Sequence, residues 1–137
     1  MKLVFDTNVI VDVIARRSPF FYASKKAMEA LARKDVVGAL TANTLTDIFY
    51  IVKKHQANKE LQKVSLLDLM DCFEVLDTTR LLCLAAIRSS IADFEDALMA
   101  ESAKQWRADY IVTRDVGGFS ESPVPAISPE GIVRCFS

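Results

Sequence analysis

Short apolar runs alternate along this chain with longer segments of mixed character. The first run, Leu3-Val4-Phe5, stops abruptly on Asp6-Thr7-Asn8. An uninterrupted apolar run of that length suits a strand buried on both faces, as in a parallel sheet. An apolar stretch from Val9 to Ala15 follows. Ser18-Pro19 then predicts an N-cap and a proline at the first helical position, opening a helix to about Lys34 with Ala23, Ala27, Ala30 and Leu31 along one face. Further strands are expected at Val36–Leu40, Phe73–Leu76, Tyr110–Thr113 and Val124–Ile127. Helices fill the intervals: Thr44 to His55; Lys59 to Met70, after a break at Gln56-Ala57-Asn58; a helix through Leu81, Leu84 and Ile87, capped from Asp77-Thr78-Thr79; and Asp93 to Trp106. A last helical turn starts at Ser128-Pro129-Glu130.

Strands alternating with helices imply a parallel sheet flanked by helices, an α/β sandwich. With no internal repeat, low-complexity stretch or linker, residues 1–137 read as one domain.

Composition narrows the class. Of the 137 residues, 51% are hydrophobic and 26% charged, which fits a folded protein rather than a disordered one. The net charge of -1 argues against strong non-specific binding to nucleic acid, although an acidic site would offset local basic patches in that total. Cys72, Cys83 and Cys135 are odd in number, form no CxxC pair and sit among apolar residues, so they are expected to be buried, reduced thiols. An acid at position 6 comes too soon for a signal peptide, and no apolar run approaches the ~18 residues of a membrane span. The expected location is cytoplasmic, away from membranes.

Chemistry concentrates in the acids. Asp6 ends the first strand, and Thr113-Arg114-Asp115 follows the fourth; in open parallel sheets, sites form outside such carboxyl ends. Asp47 closes Thr44-Leu45-Thr46-Asp47, whose spacing also matches a capping box. Asp93 and Asp96 share a helix face, whereas Glu95 is rotated roughly 160–200° from both and is expected to point to solvent. Each acid has a plain structural use, as a turn residue, a cap or a partner of the helix dipole. Together they say more. Carboxylates gathered without His or Cys favour hard ions such as Mg²⁺ or Mn²⁺, which can activate water and polarise a phosphoryl oxygen.

In this order and spacing the four segments resemble a PIN domain, in the subgroup that includes VapC-type toxins. Leu3-Val4-Phe5-Asp6-Thr7-Asn8 is similar to the family's first motif, Thr44 to Asp47 to the second, Asp93-Phe94-Glu95-Asp96-Ala97-Leu98 to the third and Tyr110 to Asp115 to the fourth. The resemblance spans essentially the whole chain. It implies a three-layer α/β/α sandwich with a central parallel sheet and a metal-dependent endoribonuclease in which metal-activated water attacks phosphorus. Asp6, Asp47, Asp96 and Asp115 would be the catalytic and metal-site acids, with Asp93 an accessory ligand and Asn8 and Thr113 orienting ligands, water or phosphate oxygens. Mg²⁺ or Mn²⁺ would be the cofactor and RNA the substrate. A homodimer and, for a toxin, a small antitoxin that blocks the site are also implied. Two departures stand out: Asp47 where Glu is usual, and Gly118-Phe119 where relatives with Asn in the fourth motif often have Asp-Phe.

The remaining candidates have ordinary readings beside the functional ones. His55, the only histidine, suits a helix end better than a catalytic triad. Arg16, Arg17, Lys53 and Lys54 are candidate RNA-phosphate contacts, or two solvated basic faces. Phe20-Phe21-Tyr22 and Phe49-Tyr50 suit base stacking or a dimer contact, with core packing expected for at least half. Trp106 is expected to pack at its helix end. A phosphatase of the haloacid-dehalogenase type would want a second Asp at position 8, where this chain has Asn. A DNA-directed metal nuclease and a non-catalytic module that binds RNA or protein remain as rivals.

Overall fold

The computed structural model describes all of residues 1–137. Five strands form one sheet: β1 (Lys2–Phe5), β2 (Val37–Thr41), β3 (Glu74–Leu76), β4 (Tyr110–Val112) and β5 (Ala126–Ile127). All neighbours are parallel, in the order β3-β2-β1-β4-β5. Seven helices connect them: α1 (Thr7–Ile14), α2 (Phe21–Glu29), α3 (Ala42–His55), α4 (Lys59–Cys72), α5 (Arg80–Arg88), α6 (Phe94–Trp106) and α7 (Pro129–Cys135).

Successive strand residues point to opposite faces, so each apolar run feeds two cores. Leu3 and Phe5 of β1, Leu40 of β2 and Val112 of β4 join one core with residues of α1 to α4 and α7. Val4, Ala39 and Ile111 join the other, with Leu82 and Ala86 of α5 and Leu98, Ala100 and Ala103 of α6. Helices on both faces of a parallel sheet make the expected three-layer α/β/α sandwich.

The chain grows from β1 outward through β2 to β3, then crosses back to β4 on the other side of β1. That reversal opens a crevice at the carboxyl ends of β1 and β4, where ligands bind in sheets of this kind. The strands are in register there: Phe5 lies opposite Val112, and the Asp6 amide continues the ladder by donating to the Val112 carbonyl at 2.9 Å.

Local details differ from the sequence reading in instructive ways. The helix expected from Ser18-Pro19 starts at Phe21, after a cis Ser18–Pro19 peptide. Backbone carbonyls already serve its first turn, with the Phe21 amide donating to Arg17 and the Ser24 amide to Phe20, so no side-chain cap is needed. Helix α3 starts at Ala42 with Thr41 at the N-cap, three residues before the position inferred from Thr44. The Thr41 and Thr44 hydroxyls pair at 2.9 Å, which leaves Asp47 a full turn beyond any capping role. Thr79 and Ser128 cap α5 and α7 as expected, accepting from the Leu82 and Gly131 amides.

The cysteines are free thiols, but they are not buried: Cys72 and Cys135 are exposed and Cys83 is half-buried. Cys72 and Cys135 are the last residues of α4 and α7, where the helix no longer faces the core. None of Phe20, Phe21, Tyr22, Phe49 and Tyr50 is buried either, against the expected core role. They belong to the outer surfaces of α2 and α3 and the turn before α2. Trp106 does pack at the end of α6, under the Lys2 ammonium. No helix is long and apolar enough to cross a membrane.

Candidate metal centre

Asp6 is the pivot. It follows the last residue of β1 and occupies the N-cap position of α1, yet its side chain makes no capping bond. Instead its Oδ2 accepts from the Thr113 hydroxyl at 2.8 Å and from Asn8 Nδ2 at 3.2 Å. Thr113 has no exposed surface and lies just past β4, so strand pairing itself brings these partners together. The Thr113 Oγ1 also accepts from the Asp115 amide at 2.9 Å, and Asn8 Oδ1 accepts from the Arg114 amide at 3.3 Å. Asn8 and Thr113 thus tie the end of β1 to the loop after β4.

Around this pivot an open cleft of about 420 Å³ is lined by Asp6, Asn8, Asp47, Glu95, Asp96 and Asp115, among others. Four parts of the chain contribute its acids: the end of β1, the second turn of α3, the first turn of α6 and the turn after β4. None of the five acids forms an ion pair; the three salt bridges of the protein lie elsewhere. Arg17 is the single basic residue of the lining.

Electrostatics record this crowding. Burial raises the Asp6 carboxyl above the ordinary range and the Asp115 charge adds to it, while the Thr113 hydrogen bond opposes the rise. Asp96 is pushed up to about 6, by burial first and then by Asp93, Asp6, Asp115 and Glu95. Glu95 is raised chiefly by Asp47. A field this negative favours protons or a cation.

Glu95 was not expected here. Its helical angle puts it away from Asp93 and Asp96, but in the first turn of α6 both Glu95 and Asp96 border the cleft. Exposure and a place in the cleft are then compatible. A signal was present in the sequence: three acids within four residues at a helix start.

Asp93 has a different place. It is the N-cap of α6, its Oδ1 accepts from the Asp96 amide at 2.9 Å, and it is not part of the cleft lining. It acts on the cleft through its charge on Asp96. Among the basic candidates, Arg17 reaches the cleft and Arg16 does not. Lys53 and Lys54 are exposed on the last turn of α3, with Lys53 over the Phe49 and Tyr50 rings. His55 ends that helix, as expected.

The donor set suits a hard divalent cation: oxygen atoms only, no imidazole or thiolate, and negative charge without counter-ions. No three of the carboxylates converge on one point at ligating distance. Their mutual repulsion, visible in the raised Asp96 and Glu95, works against such convergence.

A sequence profile described as the PIN domain matches residues 2–117. No curated protein matches the chain at a significant level. Among solved structures, the chain is similar to VapBC2 from Rickettsia felis bound to a DNA fragment from its promoter, at 21% identity over 93% of this chain and 98% of that one, with a TM-score of 0.67. It is similar to a toxin-antitoxin complex from Klebsiella pneumoniae, at 20% identity over 93% and 97% of the two chains, with a TM-score of 0.71. FitAcB from Neisseria gonorrhoeae matches at 22% identity over 93% and 97%, with a TM-score of 0.67. At these identities the likeness establishes a shared fold.

Proposed function

The chain belongs to the PIN-domain family, and on that premise we propose that it is a metal-dependent endoribonuclease, with Mg²⁺ or Mn²⁺ held by the cleft carboxylates and RNA as substrate. One observation carries the reading: Asp6, Asp47, Glu95, Asp96 and Asp115 come from distant parts of the chain to one cleft, and no cationic side chain pairs with any of them.

The residues divide the work. Asp6 is the central ligand, its orientation held by the Thr113 hydroxyl and the Asn8 amide. Asp96 and Asp115 stand beside it, and Asp47 and Glu95 extend the negative surface toward α3. Bound there, the cation supplies Lewis acidity to a phosphoryl oxygen and to the attacking water. Asp96, with its raised affinity for protons, is half-ionised at about pH 6 and mostly charged at neutrality. Arg17, on the cleft wall, is placed to meet an RNA phosphate. Hydrolysis by water leaves a 5′-phosphate and a 3′-hydroxyl.

A toxin role in the cytoplasm, with a small antitoxin protein as partner and a homodimer as the working form, is part of the same proposal. Its support is that similar folds include a toxin-antitoxin complex. The test uses labelled RNA with Mn²⁺, comparing wild type with Asp6→Asn. Loss of cleavage with 5′-phosphate products supports the reading. Undiminished cleavage by the variant would sink the role of Asp6, and a 2′,3′-cyclic phosphate would point to attack by the RNA's own hydroxyl. Absence of specific Mn²⁺ binding would favour a non-catalytic module.

A further inference from the structure

We propose that Gly118 is a positioning residue of the metal centre, because its missing side chain leaves the space in which the Asp115 and Asp96 carboxylates come together. The inference rests on the metal-site reading above and adds a residue to it.

Gly118 lies in the 3₁₀ turn Val116–Phe119, which Asp115 caps. Its amide donates to Asp115 Oδ1 at 3.2 Å and so holds that carboxylate over the turn. A Cβ at position 118 would stand 2.5 Å from Asp115 Oδ2 and 3.2 Å from Asp96 Oδ2. The first distance is far inside van der Waals contact, so any side chain here displaces the Asp115 carboxylate. Backbone conformation is not the reason for glycine, because neither Gly117 nor Gly118 has positive φ. Nor is general crowding of the turn: a Cβ on Gly117, next in the chain, would meet nothing within 4 Å. Buried Phe119 anchors the turn from the other side, so the backbone cannot easily slide away to make room. The carboxylate must move instead. Asp115 acts electrostatically on both Asp6 and Asp96, so moving it alters the centre of the acidic cluster.

The experiment measures Mn²⁺ affinity by calorimetry for the full chain and for Gly118→Ala, Gly117→Ala, Asp115→Ala and the double variant Asp115→Ala/Gly118→Ala, together with thermal unfolding of each metal-free protein. Gly118→Ala is expected to weaken Mn²⁺ binding by about tenfold or more, on the scale of lost ligand-orienting contacts. Gly117→Ala should stay within about twofold of wild type. In the Asp115→Ala background, Gly118→Ala should add less than about a twofold loss, since the displaced group is already gone. Any melting temperature lost from wild type to Gly118→Ala should not be lost again between Asp115→Ala and the double variant. Wild-type affinity in Gly118→Ala would overturn the inference while leaving the metal site standing. An equal loss of affinity, or of melting temperature, in both backgrounds would also overturn it. Failure of the wild type to bind Mn²⁺ would overturn the metal reading and this inference together.

Discussion

Arg114 grips Asp12 through two hydrogen bonds, Nε to Oδ2 at 2.7 Å and Nη2 to Oδ1 at 3.2 Å, across a carboxylate with no exposed surface. Ser24 donates to the same Oδ2 at 3.0 Å, and Phe20 lies 3.9 Å beneath the guanidinium carbon. The pair holds Arg114 against α1, and Arg114 sits between two residues of the metal centre. Its side-chain hydrogen bonds are thereby committed to Asp12, and only its charge reaches Asp6, where it opposes the rise of that carboxyl.

Removing one partner should therefore be costly. A buried pair broken on one side loses about 3–5 kcal/mol. Asp12 has no route to water, whereas Arg114 is partly exposed, so Arg114→Met should destabilise the fold more than Asp12→Asn. Urea unfolding of the two variants measures this; the opposite ranking would show that the guanidinium, not the carboxylate, carries the desolvation cost.

The metal-free protein should become less stable as pH rises through the mildly acidic range. Asp96 holds its proton more tightly folded, at about 6, than unfolded, at 3.8. Its stabilising contribution is complete below 3.8 and is lost as pH climbs through about 6. Burial gives Asp6 the same sign. Asp96→Asn, which carries no such charge, should raise the melting temperature of metal-free protein at pH 7 and change it little at pH 4. Equal effects at both pH values would refute the linkage.

Divalent metal should reverse that loss. A cation that binds only the folded state at 100 times its dissociation constant adds about 2.7 kcal/mol, which corresponds to a rise of roughly 10 °C in melting temperature for a domain of this size. Differential scanning fluorimetry with Mn²⁺, and again after EDTA, reads the shift. Asp6→Asn should abolish most of it.

Glu95→Gln tests the acid found only in the folded structure. Because Asp47 and its neighbours repel Glu95, removing its charge should leave stability unchanged or slightly higher. RNA cleavage should fall by roughly tenfold, equivalent to about 1.4 kcal/mol on the barrier. Cleavage at the wild-type rate would make Glu95 a bystander on the rim.

Much of this was readable beforehand, and particular residues show why. Asp6 announces itself because an apolar run fit only for a buried strand ends on an acid. Asp115 follows by the same logic after β4. Asp47 lines the cleft, but the cap of its helix lies three residues earlier than its sequence suggests, because Thr41 and Thr44 are chemically alike and only the fold chooses between them. Glu95 is exposed as expected, yet it also lines the cleft, because a helical wheel describes the side of a helix and not its end. The Asp12–Arg114 pair joins residues 102 apart in sequence, beyond the reach of local pattern. Its trace was nonetheless there: an acid in the middle of an apolar helix needs a buried partner.

The central position of β1 has a consequence for how the protein is made. The Asp6 carboxylate at its end is synthesised 107 residues before the hydroxyl that orients it. The neighbouring strand β4 and the turn carrying Asp115 and Gly118 come just as late. A nascent chain interrupted before that point carries Asp6 without the groups that aim it. A chain cut short anywhere up to residue 112 lacks both the Thr113 hydroxyl and the Asp115 carboxylate, so the cleft cannot assemble until both have been made.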